Sequence, residues 1–263
     1  MWLAIIAILV LLFIIVPILV LIPLSFTSVN YFTFPPIGFS TKWYQDFLQN
    51  EEWIECFFRS LGVACLTAIF AVIIGTLAAM AVSRTDFKYK KAFMALMVAP
   101  MVIPVVIIGI ALYNFYAPLR LNNTITGLVL SHTLLAIPIV FITLTAGLKG
   151  VDSNIELAAA GLGSKPFGVF FKIILPQIKT SMLSACLFAF ITSLDEITVT
   201  IFLSGTDTKT LPIAMWESMR NNITPTIASV STILIFGTVL SFLLPELLKK
   251  LFHKRPLDRI VEK

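Results

Sequence analysis

Long stretches without a single charged residue limit what this chain can fold into. A helix needs about 20 mainly apolar residues to cross the hydrocarbon core of a bilayer, which is about 30 Å thick. Six such stretches are present, at residues 1–41, 60–83, 92–119, 121–148, 180–204 and 221–245, and only the fifth is interrupted, by Asp195 and Glu196. The sequence therefore predicts an all-α membrane protein with six transmembrane helices, at about 2–24, 59–83, 93–117, 126–148, 180–204 and 227–248.

Composition agrees with this fold class. Hydrophobic residues make up 58% of the chain and charged residues 13%, whereas a soluble domain has about 25% charged residues. A large soluble helical protein does not explain so many uncharged stretches. We predict one transmembrane domain over residues 1–263. Residues 2–24 are interpreted as the first span and not as a signal peptide, because no basic region precedes them and no small-residue cleavage site follows.

The basic residues predict the orientation, because Lys and Arg concentrate in the cytoplasmic loops of membrane proteins. Of the 19 Lys and Arg residues, 14 fall on one side of the predicted spans, in residues 84–91, 149–179 and 249–263. The other five are Lys42, Arg59, Arg120, Lys209 and Arg220. We expect both termini to be cytoplasmic. Nucleic acid is not an expected partner, since the basic residues lie in separate short segments next to the membrane.

Residues that could perform catalysis or bind a metal are sparse. The three cysteines, Cys56, Cys65 and Cys186, form no C-x-x-C pair and lie near or within spans, so we interpret them as packing residues. His132 and His253 are far apart in the sequence. We expect His132, near the outer start of the fourth helix, to be a hydrogen-bonded interface residue. The sequence predicts neither an enzyme nor a metal site.

The longest predicted cytoplasmic connection, residues 149–179, has a pattern of its own. Ser153 and Glu156 have the spacing of a capping box, which marks the start of a helix. Gly163 suits the end of that helix, and a second short helix is predicted to follow and to end at Pro176. We therefore predict two short helices joined at Gly163 that lie across the cytoplasmic face.

This segment also matches a longer spacing. Its residues fit the pattern E-A-A-x3-G-x9-I-x-L-P at Ala158, Ala159, Gly163, Ile173, Leu175 and Pro176. On these residues the chain resembles the permeases of binding-protein-dependent ABC importers. The first position of the pattern is Leu157 here, and Glu156 stands one residue earlier, turned by about 100° on a helix. Glu156 either contacts the ATPase or caps its own helix, and we favour capping.

Two further segments extend the resemblance. Residues 38–61 are similar to the segment before the second span of the same family, and SLDEITVTIFLSGTDTKTLP (193–212) resembles the fifth helix and following loop of the spermidine/putrescine permeases. The resemblance implies the type I ABC importer fold, a bacterial inner-membrane location and polyamine transport. Another small organic cation or solute is the alternative substrate.

The resemblance also implies partners. A second permease subunit, which is a different chain, would complete the pathway through the membrane, and a dimer of ABC ATP-binding subunits would dock on residues 149–179. A periplasmic or lipid-anchored substrate-binding protein would deliver the substrate. The chain contains no G-x-x-x-x-G-K-[ST] motif. We therefore expect no cofactor on this chain, with ATP and Mg bound by the partner ATPase.

Charged residues inside a span are costly and usually face protein or water. On a continuous helix, Thr192, Asp195, Glu196 and Thr200 would form a polar stripe opposite an aliphatic face. We predict that this stripe lines the substrate pathway and attracts a cation. Two alternatives remain open: the carboxylates bond to a neighbouring helix or loop backbone, or they are ion sites of a gradient-driven secondary transporter. A membrane scaffold without transport activity would not need the stripe.

Overall fold

The structure, a computed structural model, describes residues 2–221 and 223–252, so the predicted basic tail from His253 onwards lies outside the described residues. These residues form helices, with one isolated antiparallel bridge between Thr27 and Phe39. The all-α prediction is confirmed. In chain order the α-helices are α1 (Trp2–Ser25), α2 (Lys42–Gln49), α3 (Glu51–Arg84), α4 (Lys90–Val102), α5 (Val105–Tyr116), α6 (Ile125–Lys149), α7 (Ser153–Gly161), α8 (Pro166–Val169), α9 (Leu175–Gln177), α10 (Lys179–Leu194), α11 (Thr198–Leu203), α12 (Leu211–Asn221) and α13 (Thr226–Phe252).

Helices occupy all six predicted spans, but two of the spans are interrupted. Of the described helices, α1, α3 and α6 are each long and apolar enough to cross a membrane alone. The predicted third span consists of α4 and α5, which meet at an angle of 103°. The predicted fifth span consists of α10 and α11, separated by residues 195–197. The third span is therefore bent between α4 and α5, and the continuous helix that the projection of the fifth span assumes is wrong.

Proline explains the interruption of the third span. Pro104 has no backbone N–H, and its ring disfavours the helical conformation in the residue before it. Ile103 accordingly is extended, with φ −79° and ψ 132°. The chain resumes as α5 directly after Pro104, whose carbonyl accepts hydrogen bonds from the N–H groups of Ile107 and Ile108.

Residues 55–214 form one compact unit with its core around α6. Small residues let the helices of this unit approach closely, as is common between membrane helices. A side chain on Gly75 of α3 would place its Cβ 2.5 Å from Val140 of α6, and one on Gly147 would collide with Ser181 of α10. The same core continues to the end of α6, where Leu144 and Leu148 are fully buried. The helices α7 and α8 belong to the predicted cytoplasmic connection of residues 149–179, which we call the inner loop. Each adds one buried residue to this core, Ala159 and Val169.

Residues 1–54 and 215–263 belong to a second unit. In its described part, α1 and α2 both pack against α13. Trp43 of α2 donates from its indole Nε1 to the Thr27 carbonyl at 2.8 Å, and Asp46 accepts a hydrogen bond of 2.7 Å from Thr226 of α13. No residue of the most apolar window of α1 is buried. An apolar helix with so little cover is typical of a helix surrounded by lipid.

Candidate functional site

The inner loop folds as the sequence predicts, into two short helical stretches joined at Gly163. After α7, Gly163 has a positive φ of 85°. Its N–H donates to the Ala160 carbonyl at 2.9 Å, and the Ser164 N–H donates to the Ala159 carbonyl at 3.1 Å. This pair of hydrogen bonds is a Schellman motif, which closes a helix and places glycine just after it.

The start of α7 differs from the prediction. Asp152 is the N-cap, and its carboxylate accepts a hydrogen bond of 2.9 Å from the Asn154 N–H. The predicted capping box of Ser153 and Glu156 is therefore wrong by one residue at its first position. Asp152 is an equally good cap and leaves the Glu156 side chain available for another partner.

Glu156 pairs with an arginine at the cytoplasmic end of α3. Arg84 Nε donates to the two carboxylate oxygens at 2.8 and 3.0 Å, and a guanidinium nitrogen donates to Oε1 at 2.5 Å. The same guanidinium reaches the carbonyls of Leu148 and Val151, each at 3.3 Å. Arg84 thus joins α3, the end of α6 and α7 at one point. The favoured prediction for Glu156, capping of its own helix, is wrong.

The second helical stretch continues past Pro176. After α8, Phe170–Ile174 form a π-helical segment, and α9 carries the helix to Gln177. The predicted end at Pro176 is wrong, since the 83° bend toward α10 follows at Ile178. Pro176 has no backbone N–H, which a regular α-helix would need at this position as a hydrogen-bond donor. The π-helical segment just before it has a different pairing of N–H groups with carbonyls.

Large apolar side chains are exposed on both inner-loop helices. Leu162 is 88% exposed and Phe167 79%. With three further exposed residues they form what we call the apolar patch: Ile155, Leu157, Leu162, Phe167 and Phe171. These residues lie outside the membrane-spanning runs, and clustered exposed apolar side chains are typical of a surface that contacts another protein or the membrane.

The remaining residues of the matched pattern divide between surface and core. Ala158 is exposed beside the apolar patch, and Ala159 is buried against the core. Ile173 and Leu175 are half-buried, while Pro176 is exposed. The pattern therefore describes both the outward surface and the packing that holds it to the membrane helices.

We expect Gly163→Ala to loosen the inner loop while Gly161→Ala does not. A Cβ has free space at both positions, but only Gly163 has a positive φ. An L-residue in that conformation costs about 1–2 kcal/mol, whereas alanine is favoured at the helical position 161 by up to about 1 kcal/mol. Hydrogen exchange of the amides in residues 153–177 measures the difference. Equal protection in the two variants would contradict the assigned role of Gly163.

The break in the fifth span is not caused by glycine or proline. Residues 179–204 contain neither glycine nor proline, yet α10 ends at Leu194 and α11 begins at Thr198. The 100° rotation per residue of a continuous helix therefore does not apply across the break. The prediction that Thr192, Asp195, Glu196 and Thr200 share one face is wrong for this reason.

The structure separates the four predicted pathway residues. Asp195 is exposed, and within the part of the chain that the structure describes its side chain has no hydrogen-bond or ion-pair partner. Glu196 is half-buried and accepts a hydrogen bond of 2.7 Å from the Val199 N–H, so it caps the start of α11. Thr192 is half-buried. Thr200 is fully buried, so its assignment to an exposed pathway stripe is wrong.

His132 of α6 connects the two sides of the break. One ring nitrogen lies 2.8 Å from Ser193 Oγ at the end of α10, and the other lies 2.9 Å from Thr200 Oγ1 on α11. Ser193 Oγ also lies 3.3 Å from Thr67 Oγ1 of α3. The prediction that His132 is a satisfied interface residue is confirmed. Its partners were not predictable, because they lie 61 and 68 residues away in the sequence.

Arg84 is the functional candidate that sequence reasoning missed. In the sequence Arg84 contributes only to the predicted orientation. The available signal is its position directly after the second predicted span, where α3 ends, 72 residues before Glu156.

Comparison with known proteins gives a consistent result. Residues 71–255 match the family model described as "Binding-protein-dependent transport system inner membrane component". The putrescine transport system permease protein PotI of Escherichia coli K12 is 33% identical over 234 residues, covering 86% of this chain and 83% of the relative. The spermidine/putrescine transport system permease protein PotC of Haemophilus influenzae is 28% identical over 235 residues, covering 89% and 91%.

Solved structures show the same fold. A chain of a bacterial ABC transporter that imports the acidic polysaccharide alginate has a TM-score of 0.70 at 13% identity, with 94% of both chains covered. A chain of the methionine ABC transporter MetNI in an inward-facing conformation has a TM-score of 0.62 at 14% identity, covering 75% of this chain and 94% of that one.

Proposed function

This chain belongs to the family of binding-protein-dependent transport system inner membrane components, and from that premise we propose that it is a permease subunit of an ATP-driven polyamine importer. It is a multi-pass helical protein of the inner membrane and not an enzyme. The observation that supports the proposal most directly is the combination of an apolar patch on the inner loop with an exposed carboxylate at the break in the fifth span.

The substrate class is inferred from the relatives and from Asp195. PotI and PotC are named as putrescine and spermidine/putrescine permeases. Polyamines carry several ammonium groups, and a carboxylate pairs with an ammonium through short, charge-assisted hydrogen bonds. Asp195 is exposed and unpaired within the described residues, so its carboxylate is free to meet such a cation.

The apolar patch is the proposed docking surface of the ATPase. It lies on the segment that the family pattern covers, and it presents exposed side chains that water alone would not favour. We propose that a dimer of ABC ATP-binding subunits binds here and holds ATP and Mg, since this chain has no phosphate-binding loop of its own. We further propose that the inner loop and both termini are cytoplasmic.

The transport pathway is proposed to lie between this chain and a second permease, with a substrate-binding protein delivering polyamine from outside. Closure of the ATPase dimer would move α7, and Arg84 would pass that movement to α3 and α6. The spans would then alternate between outward and inward access, as two discrete packings of rigid helices.

Uptake by the reconstituted complex tests the proposal. The chain and its co-purifying subunits are placed in proteoliposomes, with ATP in the ATPase compartment and the binding protein on the other side. We expect labelled putrescine or spermidine to accumulate only when ATP and the binding protein are both present. A co-purifying ATPase without polyamine uptake would overturn the substrate class, and the lack of any co-purifying ATPase would overturn the importer itself.

We expect Leu162→Asp to release the ATPase from the membrane complex. Burial of a fully exposed leucine contributes about 1.5–3 kcal/mol, and a carboxylate in the same interface would add a desolvation cost. Retention of the ATPase during affinity purification measures the effect. Tyr89→Asp is the matched control, because Tyr89 is 66% exposed on the same predicted side but lies outside the apolar patch. Equal retention by both variants would place the docking surface elsewhere.

A further inference from the structure

We propose that His132 is a positioning residue that holds the fifth span broken and thereby presents Asp195 at the surface. Neither glycine nor proline causes the break, since residues 179–204 contain neither. Sharp interruptions of helices otherwise occur where a side chain replaces the hydrogen bonds of the helix. Glu196 does so here, because its carboxylate accepts from the Val199 N–H, and His132 adds contacts to the hydroxyl groups of Ser193 on α10 and Thr200 on α11.

The spacing of its two partners shows why the His132 contacts favour the broken form. Ser193 and Thr200 are seven residues apart, so their backbone positions would lie about 10.5 Å apart along a continuous helix. The two nitrogens of an imidazole are about 2.2 Å apart, so with hydrogen bonds of 2.8 and 2.9 Å the ring bridges at most about 8 Å. In a straight fifth span both hydroxyls would have to lean toward the buried ring to keep their contacts.

The hydrogen-bond pattern links His132 to the break. The Thr200 hydroxyl, which His132 Nε2 contacts, also donates to the Glu196 carbonyl at 3.0 Å. Ser193 Oγ lies within hydrogen-bond distance of both His132 Nδ1 and Thr67 Oγ1, and its single proton serves one of these contacts. The Glu196 carbonyl belongs to the break itself. His132 thus binds the last turn of α10 directly and the break through Thr200.

Asp195 lies on the opposite side of the break from this network. Ser193 and Thr200 are buried, while Asp195 between them is exposed. The contacts of His132 therefore fix which side of the break is buried in the protein. The Asp195 carboxylate is left on the exposed side. The inference depends on the proposed function only in taking Asp195 as a residue of the substrate pathway.

Thiol labelling at residue 195 tests the positioning role without measuring transport. The parent chain has Cys56, Cys65 and Cys186 replaced by alanine and carries Asp195→Cys, and it is assembled with its partner subunits in detergent. The probe is a charged, membrane-impermeant methanethiosulfonate reagent. We expect His132→Leu to slow labelling by about tenfold. The conformation that exposes residue 195 would lose both of the buried hydrogen bonds made by the His132 ring. An unchanged or faster rate would overturn the proposal.

Three controls keep the result specific. Thr133→Val changes the neighbouring buried residue, whose hydroxyl has no partner within the described residues, and should leave the rate unchanged. A second reporter, Asp207→Cys on an exposed loop, should be labelled equally with and without His132→Leu. If His132→Leu does not assemble, Thr200→Val decides, because it keeps the shape and removes the hydroxyl that contacts His132 and the Glu196 carbonyl; an unchanged rate there also overturns the proposal.

The outcome is separable from that of the proposed function. Slower labelling in His132→Leu together with normal uptake by Asp195→Asn would keep the positioning role and remove Asp195 from the pathway. Normal labelling in His132→Leu together with impaired uptake by Asp195→Asn would remove the positioning role and keep Asp195 in the pathway.

Discussion

Reversing the charge of Glu156 is expected to uncouple ATP hydrolysis from transport. In Glu156→Arg the guanidinium of Arg84 faces a like charge in a site where both native side chains are less than one-fifth exposed. Loss of one partner from a buried ion pair costs about 3–5 kcal/mol, and the remaining exposure places this pair at or below the lower end of that range. The connection between α7 and α3 should fail. We expect ATP-driven uptake to fall by at least about tenfold while the ATPase continues to turn over.

The double variant Arg84→Glu with Glu156→Arg supplies the control. It restores an ion pair between α3 and α7 but not the hydrogen bonds from Arg84 to the Leu148 and Val151 carbonyls, since a carboxylate cannot donate to them. We therefore expect partial recovery of the ratio of substrate transported to ATP hydrolysed. A double-mutant cycle separates the ion pair from the carbonyl contacts. Each variant's ratio of substrate transported to ATP hydrolysed is expressed relative to the parent. If the value for the double variant is no greater than the product of the values for Arg84→Glu and Glu156→Arg, coupling through this pair is contradicted.

The first position of the family pattern is apolar in this chain. A carboxylate at residue 157 would project from α7 about 100° away from Glu156. Here that position holds Leu157, which is 68% exposed within the apolar patch. The one acidic residue of α7 is used to attach the helix to its own membrane helices. The surface offered to the ATPase is correspondingly apolar.

The sequence predicts the positions of the spans because lack of charge and apolar composition are local properties of a segment. The helix end at Gly163 is predictable for a similar reason, since few residues other than glycine favour a positive φ. Pro104 likewise stops a helix through its own covalent structure. In each case the cause and the effect lie within a few residues.

The break at residues 195–197 and the partner of Glu156 were not predictable in this way. Glu196 is as compatible with a helix interior as with a cap, and the choice depends on whether His132 holds Ser193 and Thr200 together. The Glu156 carboxylate does not cap its own helix as predicted, because Arg84 approaches it from another helix. Tertiary contacts decide both cases, so a helical projection of residues 192–200 could not identify the exposed ones.

Asp195 and Glu196 are expected to separate in function although they are adjacent. Asp195→Asn removes an exposed charge and should raise the polyamine concentration needed for half-maximal uptake by about 10- to 100-fold. That range corresponds to the loss of one charge-assisted hydrogen bond of about 1.5–3 kcal/mol. Glu196→Gln keeps an acceptor for the Val199 N–H and should change this concentration much less. Concentration-dependent uptake of labelled putrescine by the reconstituted complex measures both.

The matched pair of variants distinguishes a pathway residue from a capping residue. Glu196→Ala removes the cap altogether, and we expect it to lower the thermal stability of the complex by the equivalent of about 1 kcal/mol, whereas Asp195→Asn should leave stability unchanged. If Asp195→Asn transports putrescine as the parent does, its carboxylate does not meet the substrate. Since the exposed carboxylate is the feature of this chain that matches a polyamine, the substrate class would then depend on the named relatives alone.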